Sequence, residues 1–210
     1  MIQLVDRDYK ILNEITRFHF CLGRQLKILA GFDGSRACDR RLKKLVDAGY
    51  IERKYLVFGI PGLYFATPKA KPVFSLEYTT SNVRIEHVVH DIAVIDTAIF
   101  FMHSRGVSSN ALVTERELKH KEGFGSHPHK PDFVFQYADK TYAVEVELTT
   151  KKKEIFENNV RKNYMNYDKQ IWIIPENKTK IWQHIEECKK SYSGIETIKL
   201  GEVNSFVKEI

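Results

Sequence analysis

Cysteine is scarce in this chain. Only three occur among 210 residues, Cys21, Cys38 and Cys188. They are odd in number, widely spaced and outside any CxxC pattern, so the sequence indicates neither a disulfide framework nor a zinc site. A reducing cytoplasm is the compartment that this usage favours.

Long hydrophobic runs are also missing. The most apolar stretch, "IAVIDTAIFFM", is short and is interrupted by Asp96. The start of the chain, "MIQLVDRDYK", lacks the basic residues and the apolar run of a signal peptide. We therefore expect a soluble, intracellular protein that does not enter a membrane.

The charge of the chain is moderately basic. Lys and Arg number 33 against 27 Asp and Glu, which gives a formal net charge of +6 and a pI near 9.1. This balance is compatible with a polyanionic partner such as DNA but does not require one. Whether the chain binds such a partner depends on where its positive charges lie. The hydrophobic fraction of 43% is sufficient to build a core.

The chain changes character near "TPKAKPVFSLEYTTSNV", where two prolines and a run of Ser and Thr interrupt the periodic pattern. We predict a domain boundary there, with one domain over residues 1–75 and another over residues 82–210. Neither region contains an internal repeat or a low-complexity segment.

The first region predicts three helices followed by a strand pair. The helices run from Asp6 to about Phe18, from about Leu22 to Leu29, and from about Ser35 to Gly49. The segment "YIERKYLVFGIPGLYFAT" then alternates apolar and polar residues, turns at "GIPG" and returns, as two antiparallel strands do. Three helices and a hairpin predict a winged helix, a form of helix-turn-helix.

The third predicted helix is strongly basic, and cations continue into the hairpin. We predict that this surface contacts double-stranded DNA, because the second helix of a helix-turn-helix lies in the major groove. "LVDAGYIER" resembles the end of the recognition helix and the start of the wing in bacterial winged-helix regulators. A solvated face, or a contact with protein, is the alternative. The predicted DNA-binding residues are Arg36, Arg40, Arg41, Lys43, Lys44, Arg53 and Lys54.

The second region predicts an α/β (α+β) domain with a mixed sheet. It opens with a largely buried helix whose apolar positions are Ile85, Val88, Val89, Ile92, Val94, Ile95 and Ile99. Strands follow near residues 111–113, 132–137 and 142–148, then a helix near 153–167, the strand "QIWIIP", the helix "KTKIWQHIEECKKSY" and the strand "IETIKL". The tight turn "YADKT" predicts an antiparallel pair, and a helix that crosses between strands predicts a parallel pair.

Three acids fall on the predicted strands. Side chains alternate along a strand, so Glu145 and Glu147 share one face, and Asp132 on the neighbouring strand can reach it. Carboxylate oxygens suit Mg²⁺ or Mn²⁺, which can activate water and hold phosphate oxygens. The alternative is that these acids form only the wet face of a hairpin.

The same residues resemble the PD-(D/E)XK nuclease superfamily. Pro131 and Asp132 match its PD, Glu145 matches its second acid, and Glu86 matches an extra glutamate that many members carry. The resemblance implies a metal-dependent endonuclease in which Asp132 and Glu145 bind the cation and Glu86 supports it. The motif's lysine position holds Glu147, so this residue, or a cation from Lys151, Lys152 or Lys162, would position the attacking water.

A narrower resemblance covers nearly all of the chain. A winged helix followed by "RIEHVVHDIAV", "TERELK", "HKPDFVF" and "AVEVELT" is similar to the replication-relaxation family of Gram-positive plasmids and mobile elements. That family implies a role in plasmid replication and DNA relaxation. The partners that we expect are double-stranded DNA, plasmid replication or relaxase proteins, and a second copy of the chain. It implies no particular reaction.

Two interpretations of the second domain follow. Either it is an active endonuclease, or it is an inactive platform for a sequence-specific accessory factor or transcriptional regulator. The missing motif lysine favours the platform, as does the segment "TTKKKE", which is typical of a helix start that points into solvent.

Histidine and tyrosine residues suggest two further alternatives. His87 and His90, with Asp91, could ligate a transition metal, although core or hydrogen-bonding roles are commoner for such residues. The pair His127 and His129, with Tyr164 and Tyr167, superficially resembles a rolling-circle nickase with a tyrosine nucleophile. Pro128 argues against a central strand there, so we expect histidines that are solvated or near phosphate, and a Tyr164 that packs on the sheet.

Overall fold

The computed structural model describes residues 2–76, 83–122 and 129–210. The chain divides into two compact units, residues 1–95 and 96–210. Residues 77–82, where the predicted boundary falls, lie outside the described residues, so that boundary stays a prediction. Across the described part of the chain, no helix is both long and apolar enough to cross a membrane.

The first unit contains the three expected helices and the expected antiparallel strand pair. A short strand also joins the sheet, whose order is β1-β3-β2 with antiparallel neighbours. That strand, β1, and the helix α4 were not predicted. The elements are α1 (Asp6–Arg17), β1 (Cys21–Leu22), α2 (Gly23–Leu29), α3 (Ser35–Asp47), β2 (Ile51–Lys54), β3 (Leu63–Ala66) and α4 (Ala70–Phe74).

Helical spacing of apolar residues builds the core of this unit. Helix α1 buries Ile11, Leu12 and Ile15 completely, and α3 buries Leu42 and Leu45. Helix α3 ends where Gly49 adopts a φ of 75°, which allows the N–H of Tyr50 to reach back to the carbonyl of Leu45 at 3.0 Å. The chain then enters β2.

The second unit is built on a five-stranded mixed sheet. The strand order is β4-β5-β6-β7-β8; β4, β5 and β6 pair antiparallel, whereas β7 pairs parallel with β6 and with β8. The expected mixed sheet is confirmed. Helix α5 (Val88–Ser104) runs into this unit, which then contains β4 (Leu112–Thr114), α6 (Glu115–Glu122), β5 (Phe133–Tyr137), β6 (Lys140–Val146), α7 (Lys153–Asn166), β7 (Lys169–Ile174), α8 (Thr179–Lys189), β8 (Ile195–Lys199) and α9 (Leu200–Glu209).

A two-residue turn fixes the register of β5 against β6. Ala138 and Asp139 both adopt positive φ, 48° and 58°, as the tight primed turns of hairpins require. Tyr137 pairs with Lys140, and Phe133 therefore lies opposite Val144. This register sets the residue before β5 beside the end of β6, where the sequence has its alternating acids.

Parts of the sequence prediction for this unit are wrong. Helices α6 and α9 were not predicted, and β6 ends at Val146 rather than at Leu148. In the first unit, Ile85 lies in a 3₁₀ turn (Ile85–His87) before α5 and is 59% exposed, and Val89 is 54% exposed. These two residues therefore do not belong to the buried face of the helix.

Candidate functional site

The acids at the end of β6 are buried. Glu145 is 4% exposed and Glu147 is 2% exposed. The strand lies between β5 and β7, and the N–H of Glu147 donates to the carbonyl of Ile173 at 3.0 Å, which continues the pairing with β7. Helix α7 lies close, because Asn163 contacts Glu145. The interpretation of these acids as the wet face of a hairpin is therefore wrong.

Two side chains bind the same oxygen of Glu145. His129 Nε2 lies 2.6 Å from Glu145 Oε1, and Asn163 Nδ2 donates to that oxygen at 2.8 Å. The His129 side chain is 16% exposed, so the expectation of a solvated histidine is wrong. Neither His129 nor Asn163 was predicted to be part of this site.

Asp132 is held by two hydrogen bonds to β6 and one to the start of α6. Its N–H donates to the carbonyl of Val144 at 3.1 Å, and its own carbonyl accepts from the N–H of Glu115 at 2.8 Å. Its Oδ2 accepts from the N–H of Val146 at 2.7 Å. Because Val146 lies between Glu145 and Glu147, the three carboxylates form one group, which we call the acid cluster.

Glu147 is paired with Lys151. The Lys151 Nζ lies 2.6 Å from Glu147 Oε2, but Oε2 is buried and no partner approaches it at a hydrogen-bonding angle. The contact is therefore an ion pair that leaves directional acceptor capacity on Oε2. Helix α7 begins two residues later, at Lys153. The expectation that this segment begins a helix and faces solvent is confirmed, since residues 151–155 are exposed, but Lys151 also pairs with Glu147.

Burial and like charge govern the protonation of the acid cluster. Burial raises the pKa of Glu145, and the charge of Asp132 adds to this rise, whereas His129 and Asn163 oppose it. Burial also raises the pKa of Glu147, which Lys151 opposes. For Lys151, burial alone lowers the pKa, but the charges of Glu147, Glu145 and Asp132 outweigh it, so its pKa is raised. Three carboxyl groups and one ammonium thus influence one another's pKa at this site.

The donor atoms of the acid cluster fit a hard divalent cation. Asp132 and Glu145 offer carboxylate oxygens, and Glu147 Oε2 is a buried acceptor without a directed hydrogen bond. In residues 2–76, 83–122 and 129–210, no three His, Cys, Asp or Glu side chains are already arranged to hold a metal ion. Cation binding would therefore require the side chains of Asp132 and Glu145 to turn toward a common point.

Because the pKa of Glu145 is raised, the free energy of unfolding of the metal-free protein should decrease as pH rises. Between its ordinary and its raised pKa, the folded protein holds a proton that the unfolded chain has released, so stability falls as pH rises through this window. A Glu145→Gln variant has no carboxyl group to titrate at this position, so it should not lose stability in this way. Urea unfolding from about pH 4 to about pH 8 should show its stability increasing relative to the wild type as pH rises.

The control for this pH series is Glu154→Gln, which neutralises an exposed acid at the start of α7. Its difference from the wild type should stay flat across the series. A flat difference for Glu145→Gln as well would mean that the buried carboxylate is not destabilised by its environment.

Glu86, Lys152 and Lys162 were also predicted to support catalysis. Glu86 is in the first unit, in the turn Ile85–His87, and its side chain is exposed. Its role beside the acid cluster stays a prediction. Lys152 precedes α7 and is exposed, and Lys162 lies on α7 and is half-buried.

The structure describes the surroundings of most histidine and tyrosine residues in the two alternative sites. His87 is exposed, and His90 Nδ1 lies 3.2 Å from Asp91 Oδ1, which fits the hydrogen-bonding interpretation. Tyr164 is 47% exposed and contacts the ring of Tyr192, so the expectation that it packs on the sheet is wrong. His127 lies outside the described residues, and His129 is engaged by Glu145. The nickase alternative gains no support from the part of this site that the structure describes.

The basic surface of α3 contains one residue with a structural role. Arg36, Arg40, Lys43 and Lys44 are exposed. Arg41 instead donates from Nε to Asp8 Oδ1 at 2.6 Å and from a terminal nitrogen to the carbonyl of Gln3 at 2.8 Å. Its guanidinium also pairs with Asp8 Oδ2, and Asp8 is completely buried. Arg41 thus links α3 to α1.

The connection between β2 and β3 presents exposed rings beside cations. Tyr55 is 70% exposed and Phe58 is fully exposed. The guanidinium of Arg53 lies 5.1 Å from the centroid of the Tyr55 ring, and Lys54 is ion-paired with Glu52. The two rings were not predicted from the sequence, because the run of apolar residues that contains them is typical of a strand.

Two further cations lie near this surface. Arg24 and Lys27 of α2 line a cavity of about 230 Å³ that also contacts Ser35 at the start of α3 and Arg53 of β2. The sequence analysis did not identify them because α2 carries no comparable run of cations.

Comparison of the chain with protein-family models, with curated proteins and with solved structures gave no match. The family resemblances seen in the sequence therefore stay predictions.

Proposed function

We propose that this chain is a double-stranded DNA-binding protein whose second unit carries a metal-dependent endonuclease site of the PD-(D/E)XK type. The observation that carries this proposal is the burial of Glu145 and Glu147 beside Asp132, with the ammonium of Lys151 at 2.6 Å from Glu147. Burying like charges is costly, so such clusters are concentrated at functional sites. The resemblance of the sequence to the replication-relaxation family supports a role in the replication or relaxation of plasmid or mobile-element DNA.

Winged-helix DNA binding is the proposed role of the first unit. The support is the exposure of Arg36, Arg40, Lys43 and Lys44 on α3, with Arg53 on the following hairpin. A helix in the major groove uses its N-terminal side chains at base edges and other cations on phosphates. Arg41 is left out of the proposed contact surface, because its guanidinium is bound to Asp8.

Replacing Arg36 and Arg40 together with alanine should weaken duplex binding and lower its salt dependence. Each lost phosphate contact lowers the slope of log affinity against log salt by about one unit. The measurement is the affinity for a duplex across a salt series.

The matched control is Lys10→Ala with Lys71→Ala, which removes the same charge from exposed positions on α1 and α4. It should leave the slope nearly unchanged. Equal slopes for both double variants would mean that α3 contributes only to the general field of the protein.

The residues of the second unit support a division of roles in phosphodiester hydrolysis. Asp132 and Glu145 would hold Mg²⁺ or Mn²⁺, which stabilises charge on phosphate oxygens and favours formation of a hydroxide nucleophile. The free acceptor capacity of Glu147 Oε2 suits the orientation of a water molecule. Lys151 supplies the positive charge that the motif lysine would provide, and its side chain is 39% exposed, so a phosphate can reach it.

A second candidate function is a DNA-binding accessory factor that does not cleave. The observation that favours it is the ion pair itself, because the ammonium of Lys151 must leave Glu147 before it can neutralise a phosphate. The two candidates differ in one experiment. Purified protein incubated with supercoiled plasmid and Mg²⁺ or Mn²⁺ should nick the plasmid if the first proposal is correct.

A further inference from the structure

We propose that His129 is itself a ligand of the cation, and that the site therefore prefers Mn²⁺ or a similar first-row transition ion to Mg²⁺. This inference rests on the metal site of the proposed function. His129 is not one of the motif acids. Carboxylates alone would accept either Mg²⁺ or Mn²⁺, whereas an imidazole ligand would favour Mn²⁺.

The first argument is the separation of the donor atoms. His129 Nε2 lies 2.6 Å from Glu145 Oε1. Neighbouring ligands on an octahedral ion with bonds of about 2.1 Å are about 3 Å apart. A shift of a few tenths of an ångström would therefore allow both atoms to bind one ion.

The second argument is the position of His129 in the chain. It lies three residues before Asp132, whose N–H and carbonyl are both fixed by backbone hydrogen bonds. The segment that presents Asp132 to β6 therefore also presents His129 to Glu145. The His129 side chain is 16% exposed, so it does not move freely in solvent.

The third argument is the state of the other acids. Glu147 Oε2 is buried and has no directed hydrogen bond, and it lies near enough to Asp132 and Glu145 for their charges to raise its pKa. Three carboxyl groups therefore face the single ammonium of Lys151, and a bound cation would balance their charge, because buried charges are normally paired.

The chemistry of the imidazole then selects the ion. Mg²⁺ binds oxygen ligands and keeps several waters, whereas imidazole nitrogen suits transition ions. Mn²⁺ accepts carboxylates as well as nitrogen, so a site that combines Asp132, Glu145 and His129 matches it best. The competing role for His129 is a positioning residue that only holds Glu145 by a hydrogen bond.

The His129→Gln variant separates these roles, since glutamine can still donate a hydrogen bond to Glu145 but is a poor ligand for Mn²⁺. Calorimetric titration of the whole chain with MnCl₂ and with MgCl₂ measures both affinities. We expect the wild type to bind Mn²⁺ at least about tenfold more tightly than Mg²⁺. His129→Gln should lose about ten- to a hundredfold in Mn²⁺ affinity, with Mg²⁺ affinity changed by less than about threefold.

A direct readout is pulsed electron paramagnetic resonance of the Mn²⁺-loaded protein. A coordinated imidazole gives a ¹⁴N coupling, which should be present in the wild type and in the control His103→Gln, an exposed histidine of α5. It should disappear in His129→Gln. This measurement on the wild type tests the inference even if the variant does not fold.

Absence of the ¹⁴N coupling from the wild type, or equal losses of Mn²⁺ and Mg²⁺ affinity in His129→Gln, would overturn the inference. Failure to bind either ion would overturn the metal site together with it. Mn²⁺ binding with the coupling, but without plasmid nicking, would support the ligand role of His129 and reject the endonuclease.

Discussion

Asp132→Asn and Glu145→Gln should each lower the rate of metal-dependent plasmid nicking by about a thousandfold, while duplex affinity changes by less than about threefold. Removing one transition-state interaction typically costs a hundred- to a thousandfold, and loss of a cation ligand belongs at the upper end. Binding is preserved because the proposed duplex contacts are on α3 and the β2–β3 hairpin. Nicking rates and duplex affinities should be measured on the same preparations.

The control for this experiment is Glu154→Gln, an exposed acid at the start of α7 that lies outside the acid cluster. It should nick at the wild-type rate. Nicking by the wild type that survives in both cluster variants would place the chemistry elsewhere in the chain. A wild type that binds duplex but never nicks with either cation would favour the accessory factor.

Arg41→Ala should destabilise the protein by about 2 to 4 kcal/mol, because it leaves the fully buried Asp8 without its guanidinium partner. The side chain of Arg41 is 18% exposed, which places the expected loss below that of a completely buried pair. The free energy of unfolding should be measured by urea denaturation.

Arg40→Ala, one residue earlier on the exposed side of α3, should change stability by less than about 0.5 kcal/mol. The two neighbouring arginines therefore have different roles: Arg40 should affect DNA binding, and Arg41 should affect the stability of the fold. Equal stability of the two variants would mean that the pair between Arg41 and Asp8 contributes no net free energy.

Local patterns predicted much of the second unit correctly. The tight turn predicted the β5–β6 hairpin, and strand alternation predicted that Glu145 and Glu147 would share one face at the end of β6. Their burial could not be predicted, because it depends on β7 and on a helix that follows the hairpin in sequence. Asn163, which binds Glu145, is 18 residues away along the chain.

One missed helix had left a local signal. Thr114 and Glu117 form a reciprocal capping box, in which the Glu117 carboxylate accepts from the N–H of Thr114 at 2.7 Å and the Thr114 hydroxyl accepts from the N–H of Glu117 at 3.3 Å. The four letters "TERE" carry this pattern. The segment was nevertheless interpreted only as part of a family motif, so α6 was missed.

The role of Arg41 had no local signal. It lies in a run of cations, and its partner Asp8 is 33 residues earlier, inside α1. Composition and helical spacing cannot distinguish a cation that faces solvent from a neighbour that reaches a buried acid. Such pairings require the packing of α1 against α3 to be known.

The placement of the acid cluster has a consequence for the order of folding. The β5–β6 hairpin closes over two residues, and such hairpins form in microseconds. The parallel pairing of β6 with β7 instead requires the chain to cross through α7, and this larger loop closure is slower. We therefore expect Glu145 and Glu147 to lose their water when the crossover docks and not when the hairpin closes. Neutralising either acid should accelerate this late step more than the formation of the hairpin.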